Sequence, residues 1–230
     1  VEVSARASDV LNDFHEGLVY GIAGILQSPY FLFRVELGEK ASGQGKRALT
    51  DHELASRLSF FLWNMPPDKE LIQAAEGGEL STREGLFTQA VRLLDDPLAR
   101  RGIRMLFDDY LKLYELDHLV KDPTVFEHFN DQLGMYAREE TLRLIEDLVF
   151  DAPRDFRQIM TTRVTFLNPM LASIYKVPTP KAGDFARVEL PEETYRAGML
   201  GHVSFLGVHS HSRASSATRR GVAVRTILLC

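Results

Sequence analysis

The residues whose types could do chemistry together are concentrated near the end of the chain. Residues 201–230 hold four arginines and no acidic residue, so this segment carries +4 of a formal charge that is −5 over all 230 residues. Guanidinium groups, serine hydroxyls and the free N–H groups at a helix start all bind anions. The segment therefore predicts a site for a phosphate, sulfate or carboxylate group, or for a partner. The candidate residues are His209, His211, Arg213, Ser215, Ser216, Arg219 and Arg220.

The same residues allow an interpretation without a ligand. Ser216 stands where its hydroxyl would cap the last helix, and serine is among the preferred N-cap residues. The arginines would then pair with acidic residues of the preceding helices, since residues 1–200 carry the remaining −9. The sequence leaves both interpretations open.

Two histidines in this segment are spaced as metal ligands can be. His209 and His211 lie two positions apart, so in an extended chain their side chains point to the same side. Neutral imidazole binds transition metals and haem iron. Further ligands are not evident and no acidic residue lies nearby in sequence. The sequence therefore predicts no metal site, and solvated loop histidines are the simpler interpretation of this pair.

Acidic residues also cluster on the predicted long helix over residues 130–150. Glu139 and Glu140 stand four and three positions before Arg143, which is the spacing of ion pairs along one helix. Glu146 and Asp147 follow. A carboxylate-bridged di-iron site would need Glu-x-x-His on two helices, and the chain has none. The pattern predicts a solvated, charged helix face.

The sequence lacks the motifs of several common catalytic and metal-binding sites. The single cysteine excludes a disulfide framework and a Cys-rich metal or iron–sulfur site within this chain. There is no Gly-x-Ser-x-Gly elbow, phosphate-binding glycine loop or His-Glu-x-x-His motif. A Ser–His–acid triad assembled from distant parts of the chain stays an open alternative, although no sequence motif indicates one. The negative net charge argues against nucleic-acid binding, and no run approaches the roughly 20 apolar residues of a membrane-spanning helix.

The elements that must position these residues are helices. Apolar residues make up 45% of the chain and charged residues 26%, which is typical of a globular protein. Their periodicity is helical nearly throughout, beginning with a predicted helix over 8–27. Thr50 with Glu53 forms a capping box, and Asn168-Pro169 marks another helix start. We predict a mainly α fold, an irregular multi-helix bundle with little or no β structure.

Two domains are predicted, joined by a linker over 177–184 that contains two prolines and a glycine. Residues 1–176 would form a helical body. Residues 177–230 would form a smaller unit with the strand candidate Ala186–Leu190, a serine-rich loop over 209–217 and a last helix over 218–229. The apolar ending at Leu228-Leu229-Cys230 and the first residue Val1 lead us to expect a fragment of a longer chain.

Four segments, taken in order, cover nearly the whole chain. They are FHEG with QSPYFLFRVE (residues 14–17 and 27–36), LASRLSFFLW (54–63), TFLN with LA and Tyr175 (165–175), and GML through SS, RG and LLC (198–230). Together they resemble a family of exported planctomycete and myxobacterial proteins built from adjacent domains of unknown function, often linked to cytochrome c modules.

The resemblance implies a periplasmic or cell-surface location. It also implies a continuation beyond this chain into a domain with a Cys-x-x-Cys-His haem attachment motif. That motif is absent here, so we expect no cofactor in this chain. Haem c is expected only in a C-terminal domain beyond it. This chain has Ser212 and Ala217 where the family usually has proline, which loosens the loop. No established catalytic residue carries over.

Three hypotheses about function follow. The first is a helical module that positions a haem domain or an electron-transfer partner, with the cationic loop at the contact. The second is an enzyme, a haem-linked oxidoreductase or a hydrolase, with its site in the loop from His209 to Arg220. The third is a module that binds an anionic glycan, with salt-sensitive affinity. Whether the chain is an enzyme stays open.

Overall fold

The helix boundaries follow local sequence signals in most places. The structure, a computed structural model, describes residues 2–40, 47–151, 155–179 and 184–229. The helices are α1 (Glu2–Leu11), α2 (Phe14–Leu26), α3 (Pro29–Leu32), α4 (Asp51–Trp63), α5 (Lys69–Glu76), α6 (Arg83–Asp95), α7 (Leu98–Tyr110), α8 (Leu133–Glu146), α9 (Pro169–Tyr175), α10 (Val203–Val208) and α11 (Ala217–Ala223).

Short helical turns and four strands complete the described elements. The strands are β1 (Glu39–Lys40), β2 (Arg47–Ala48), β3 (Val164–Leu167) and β4 (Ala186–Glu189), paired antiparallel as β1–β2 and β3–β4. The 3₁₀ turns are Glu79–Ser81, Leu113–His118, Phe156–Met160, Glu192–Thr194 and Met199–Gly201, and wider π turns follow α8 and α11 at Asp147–Asp151 and Val224–Leu228. The prediction of a mainly α fold with little β structure is confirmed.

The chain divides into two compact units. One comprises Val1–Leu58 with Pro67–Phe87, and the other Ser59–Pro66 with Thr88–Cys230. The predicted domain boundary at residue 177 stays a prediction. Three parts of the chain beyond Val1 lie outside the described residues in the regions discussed above: residues 41–46, residues 180–183 of the predicted linker, and Cys230. No described helix is both long enough and apolar enough to cross a membrane.

In the first unit, the single helix predicted over 8–27 is wrong. The chain instead forms α1 and α2, separated at Asn12 and Asp13. Asn12 has φ 53°, in the left-handed region that ends a helix. The Asp13 side chain then accepts hydrogen bonds from the backbone N–H groups of His15 and Glu16 and so caps α2.

The capping box predicted at the start of α4 is confirmed. The Thr50 hydroxyl accepts from the N–H of Glu53 at 3.3 Å, and the Glu53 carboxylate accepts from the N–H of Thr50 at 2.8 Å. Glu53 also accepts from the N–H groups of Leu37 and Gly38, and these backbone donors help to lower its pKa to about 2. One carboxylate therefore fixes both the helix start and the segment before it.

The second unit is organised around α8. Its apolar face packs against the Leu113–His118 turn, against α9 and the β3–β4 ladder, and against Ile159 and Met199. The strand predicted at Ala186–Leu190 is present as β4, and its partner β3 was not predicted. This arrangement fixes two segments that lie next to the predicted loop site: the Leu113–His118 turn and α10.

Candidate functional site

Most of the predicted site residues lie in the loop between α10 and α11, and Arg219 and Arg220 lie in α11 itself. Ser216 caps α11, since its hydroxyl accepts from the N–H of Arg219 at 3.2 Å. Arg213 pairs with Asp122, with 3.0 Å between Nε and Oδ2. Hydrogen bonds from Thr124 hold the pKa of Asp122 below its usual range, so the partner of Arg213 stays ionised. Ser216 and Arg213 therefore have the kind of partners that the interpretation without a ligand requires.

Arg219 and Arg220 differ from Arg213. Within the described ranges neither has a carboxylate within ion-pair distance. One Arg219 guanidinium nitrogen donates to the carbonyl oxygen of Ser210 at 3.1 Å. By contrast, other arginines of this unit are ion-paired: Arg100, Arg104, Arg138, Arg143, Arg157, Arg163, Arg187 and Arg213. The segment over residues 209–220 therefore keeps two guanidinium groups that no acidic side chain of the described residues neutralises.

A second segment, residues 119–124, runs along this loop and was not predicted to do so. The N–H of Asp122 donates to the carbonyl oxygen of Ser212 at 2.9 Å. The ammonium group of Lys121 donates to the Ser210 hydroxyl at 2.8 Å and to the carbonyl oxygen of His211 at 3.1 Å. These bonds fix the loop and bring Lys121 into the site.

Lys121 is the most buried cation of the site. The residue is only 8% exposed. Within the described part of the chain, no carboxylate pairs with its ammonium group. Burial, and then the charge of Arg219, lower the pKa of Lys121. An ammonium group has three N–H donors, and two are used by Ser210 and His211. One donor remains for a ligand.

The two histidines of the predicted pair have different surroundings. The His209 ring packs edge-on against Phe205 with 4.8 Å between ring centroids, and burial lowers the pKa of its imidazole. His211 is exposed, and its N–H donates to the carbonyl oxygen of Ala214. Across the described ranges no three His, Cys, Asp or Glu side chains are grouped to hold a metal. The metal prediction stays a prediction.

A polar pocket of about 430 Å³ opens between the loop and the Leu113–His118 turn. Lys121 and Arg219 supply two cationic groups to its wall, and Glu115 supplies one carboxylate. Two imidazoles and two hydroxyls add hydrogen-bonding groups, from His118, His211, Ser210 and Ser212. Of the seven predicted candidates, His211 and Arg219 line this pocket. The other five do not: His209, Arg213, Ser215, Ser216 and Arg220.

A second pocket, of about 450 Å³, adjoins the first. Four residues line both: Leu119, Lys121, Gly207 and Ser210. Its wall is mostly apolar, and two arginines, Arg196 and Arg220, reach it together with Ser215. Lys121 therefore lies at the junction of a polar and an apolar pocket.

Two acidic residues that were predicted on a solvated face are buried, so the prediction is wrong for Glu140 and Asp147. Asp147, just after α8, is 7% exposed, and Arg187 donates to its Oδ1 at 3.2 Å. Glu140 is completely buried. Its Oε1 accepts from the hydroxyl groups of Tyr175 at 2.6 Å and Thr165 at 2.7 Å, whereas its Oε2 has no hydrogen-bond partner among the described residues. Burial and the charge of Glu140 raise the pKa of Tyr175 well above its usual range, so Tyr175 remains a donor.

The buried cluster continues from Glu140 to α10. The Nε2 of His202 lies 3.7 Å from Oε1 of Glu140, and its Nδ1 lies 3.0 Å from the hydroxyl of Thr141. Thr141 in turn shares a hydrogen bond with Ser204. Burial lowers the pKa of His202, an effect that Glu140 opposes. These residues are at most 3% exposed, so the cluster joins α8, α9, β3 and α10 internally.

Sequence reasoning did not single out Ser210 within the loop, and it missed the residues that the fold brings to the two pockets: Lys121, His118, Glu115 and Arg196. Lys121 contacts Ser210 across 89 positions, and no spacing rule links them. For Glu140 a signal was present. It lies three positions after Ala137 and four before Leu144, which are both completely buried, and these spacings place it on the apolar face.

Comparison with known proteins gives one family. The model of PSD4, protein of unknown function (DUF1592), matches residues 49–177, more than half of the chain. The match includes Lys121 and Glu140 but ends before the loop of residues 209–220. No curated protein and no solved structure matches this chain. The chain belongs to the DUF1592 family of proteins of unknown function.

Proposed function

We propose that this chain is a helical binding module whose loop, residues 209–220, holds the anionic group of a ligand or partner. The observation that carries the proposal is Lys121. The residue is only 8% exposed, and its ammonium group has no carboxylate partner among the described residues. A buried charge without a counter-charge is costly, and a bound anion removes that cost.

The wall of the polar pocket supports an anion in particular. Arg219 brings a second cation to the pocket, and its charge lowers the pKa of Lys121. An anion between the two groups would replace their mutual repulsion by two attractions. The hydroxyl of Ser210 already accepts from Lys121 and donates to the carbonyl oxygen of Gly207, which holds the ammonium group in place. The pocket is therefore organised before a ligand arrives.

Replacing Lys121 by methionine tests this proposal, because methionine keeps the length of the stem and removes the ammonium group. We expect inorganic phosphate to bind at least about tenfold more weakly, since a charge-assisted hydrogen bond contributes about 1.5–3 kcal/mol. Isothermal titration calorimetry at low ionic strength measures the affinity. Lys69→Met, at the start of α5 and outside both pockets, is the matched control. Equal affinity in wild type and Lys121→Met would contradict the proposal.

The wider context of the module is proposed from the resemblance. We place it in an exported chain associated with cytochrome c modules, where the loop would contact a haem-bearing domain or an electron-transfer partner. The support is the order of the four sequence segments and not a contact within the fold. The enzyme and anionic-glycan hypotheses stay predictions. In the described part of the chain no hydrogen bond between a serine and a histidine of the loop favours an enzyme.

An absorption spectrum combined with an intact mass tests that context, on protein purified from its native source. We expect a Soret band and a mass well above the 26.0 kDa of this chain. A mass near 26.0 kDa without a Soret band would remove the cytochrome association and leave the anion site unaffected.

A further inference from the structure

We propose that the ligand of this site is an amphipathic anion, with its charged group at Lys121 and its apolar body in the adjoining 450 Å³ pocket. The inference rests on the proposed function, because it takes the polar pocket as the anion site. It adds the chemical class of the ligand. Lys121 lines both the polar and the apolar pocket, and a ligand confined to one of them would use only one side of this arrangement.

The wall that the two pockets share carries the first step. It consists of Leu119, Lys121, Gly207 and Ser210. The Lys121 ammonium group donates to Ser210, and the Leu119 side chain lies 3.6 Å from the Cβ position of Gly207, so these contacts form the wall. Because Lys121 borders both pockets, a molecule whose charged group binds it can place its apolar part in the second pocket.

The composition of the second pocket carries the next step. Val125, Phe126, Phe129, Ile174 and Leu206 give it an apolar wall. Its volume of about 450 Å³ lies within the range of pockets that hold small organic molecules. Inorganic phosphate or sulfate would leave this wall in contact with water. An alkyl or aryl group attached to the anion would cover it.

Charge determines which amphipathic molecules fit. Arg196 and Arg220 line the apolar pocket, and within the described residues neither is paired with a carboxylate. Arg196 is held in place, since it donates to the carbonyl oxygen of Gly201 at 2.7 Å and lies over the Tyr175 ring at 4.5 Å. With Lys121 they outnumber the one carboxylate of this pocket, Glu127. The site therefore favours anionic amphiphiles and disfavours alkylammonium ions.

A chain-length series of alkyl phosphates tests the inference. Inorganic, methyl, butyl and hexyl phosphate are titrated into the wild-type protein by calorimetry. Each methylene buried strengthens binding by up to about fourfold. We expect hexyl phosphate to bind at least about tenfold more tightly than methyl phosphate, and hexylammonium to show no binding.

A variant that fills the apolar pocket locates the alkyl group. Val125 lines the pocket and is 47% exposed, so Val125→Trp adds bulk there without burying a larger side chain in the core. We expect it to abolish the chain-length dependence and to leave inorganic phosphate affinity unchanged. Val222→Trp, at a 57% exposed position of α11 that lines neither pocket, is the matched control and should behave as wild type.

The outcomes separate this inference from the proposed function. Phosphate binding without any dependence on chain length would overturn the amphipathic ligand and leave the anion site standing. A chain-length dependence that survives in Val125→Trp would also overturn it, because the alkyl group would then lie elsewhere, for example on the exposed apolar residues of α2 and α3. Failure of every phosphate to bind would overturn the proposed function and the inference together.

Discussion

Replacing Glu140 by alanine is expected to destabilise the protein by about 3 kcal/mol or more. The change leaves a cavity and removes the acceptor of two buried hydroxyl groups, those of Tyr175 and Thr165. A buried hydroxyl without a partner costs about 1–3 kcal/mol, and removing one member of a buried charged network costs about 3–5 kcal/mol. Urea unfolding followed by far-ultraviolet circular dichroism measures the loss.

The neighbouring residue supplies the control for this prediction. Glu139 stands on the same helix, but its carboxylate pairs with Arg104 and Arg143 in half-exposed positions. Ion pairs of this kind contribute about 0–1 kcal/mol each, so Glu139→Ala should cost about 1 kcal/mol. A similar loss for both variants would mean that Glu140 is not the buried centre of the cluster. Glu140→Gln, which keeps the shape and one carbonyl acceptor, should recover part of the stability.

Replacing Gly134 by alanine is the second change with a large expected effect. Gly134 is buried in α8, and an added Cβ would clash with the backbone carbonyl of Leu116 in the Leu113–His118 turn. A backbone atom cannot move aside as a side chain can, so we expect a loss of about 2–3 kcal/mol. Thermal or urea unfolding measures it. The same shift would displace Glu115 and His118 and should weaken phosphate binding.

The matched control for Gly134 lies in α11. Gly221 is also a helical glycine, but no atom outside its own helix lies within 4 Å of its Cβ position. Gly221→Ala should therefore stabilise the protein by about 0.5–1 kcal/mol, because alanine has the higher helix propensity. Destabilisation by Gly221→Ala, or no effect of Gly134→Ala, would contradict the close approach of α8 to the turn.

Features set by neighbouring residues were predictable from the sequence. The capping box of Thr50, the cap of α9 by Asn168 and the cap of α11 by Ser216 all join residues three positions apart. The break between α1 and α2 has a local signal as well, because Asn12 and Asp13 favour a helix end and a helix start. The helical periodicity across this break concealed it.

Features that depend on distant residues were not predictable in the same way. The pairing of Lys121 with Ser210 and of Arg213 with Asp122 requires the fold that brings two loops together. The charge count of residues 201–230 identified the cationic loop but not which cations stay unpaired. That difference depends on where the acidic residues of the helices lie, and the loop residues alone do not contain it.

The most direct test of the anion site is a chemical-shift map of backbone amides during titration with inorganic phosphate. The site predicts saturable shifts concentrated in residues 119–122 and 207–219, with little change elsewhere. The same titration of Lys121→Met should show much smaller shifts at the same phosphate concentrations. No saturable shift in these two segments, or an equal response from Lys121→Met, would contradict an anion site at the loop.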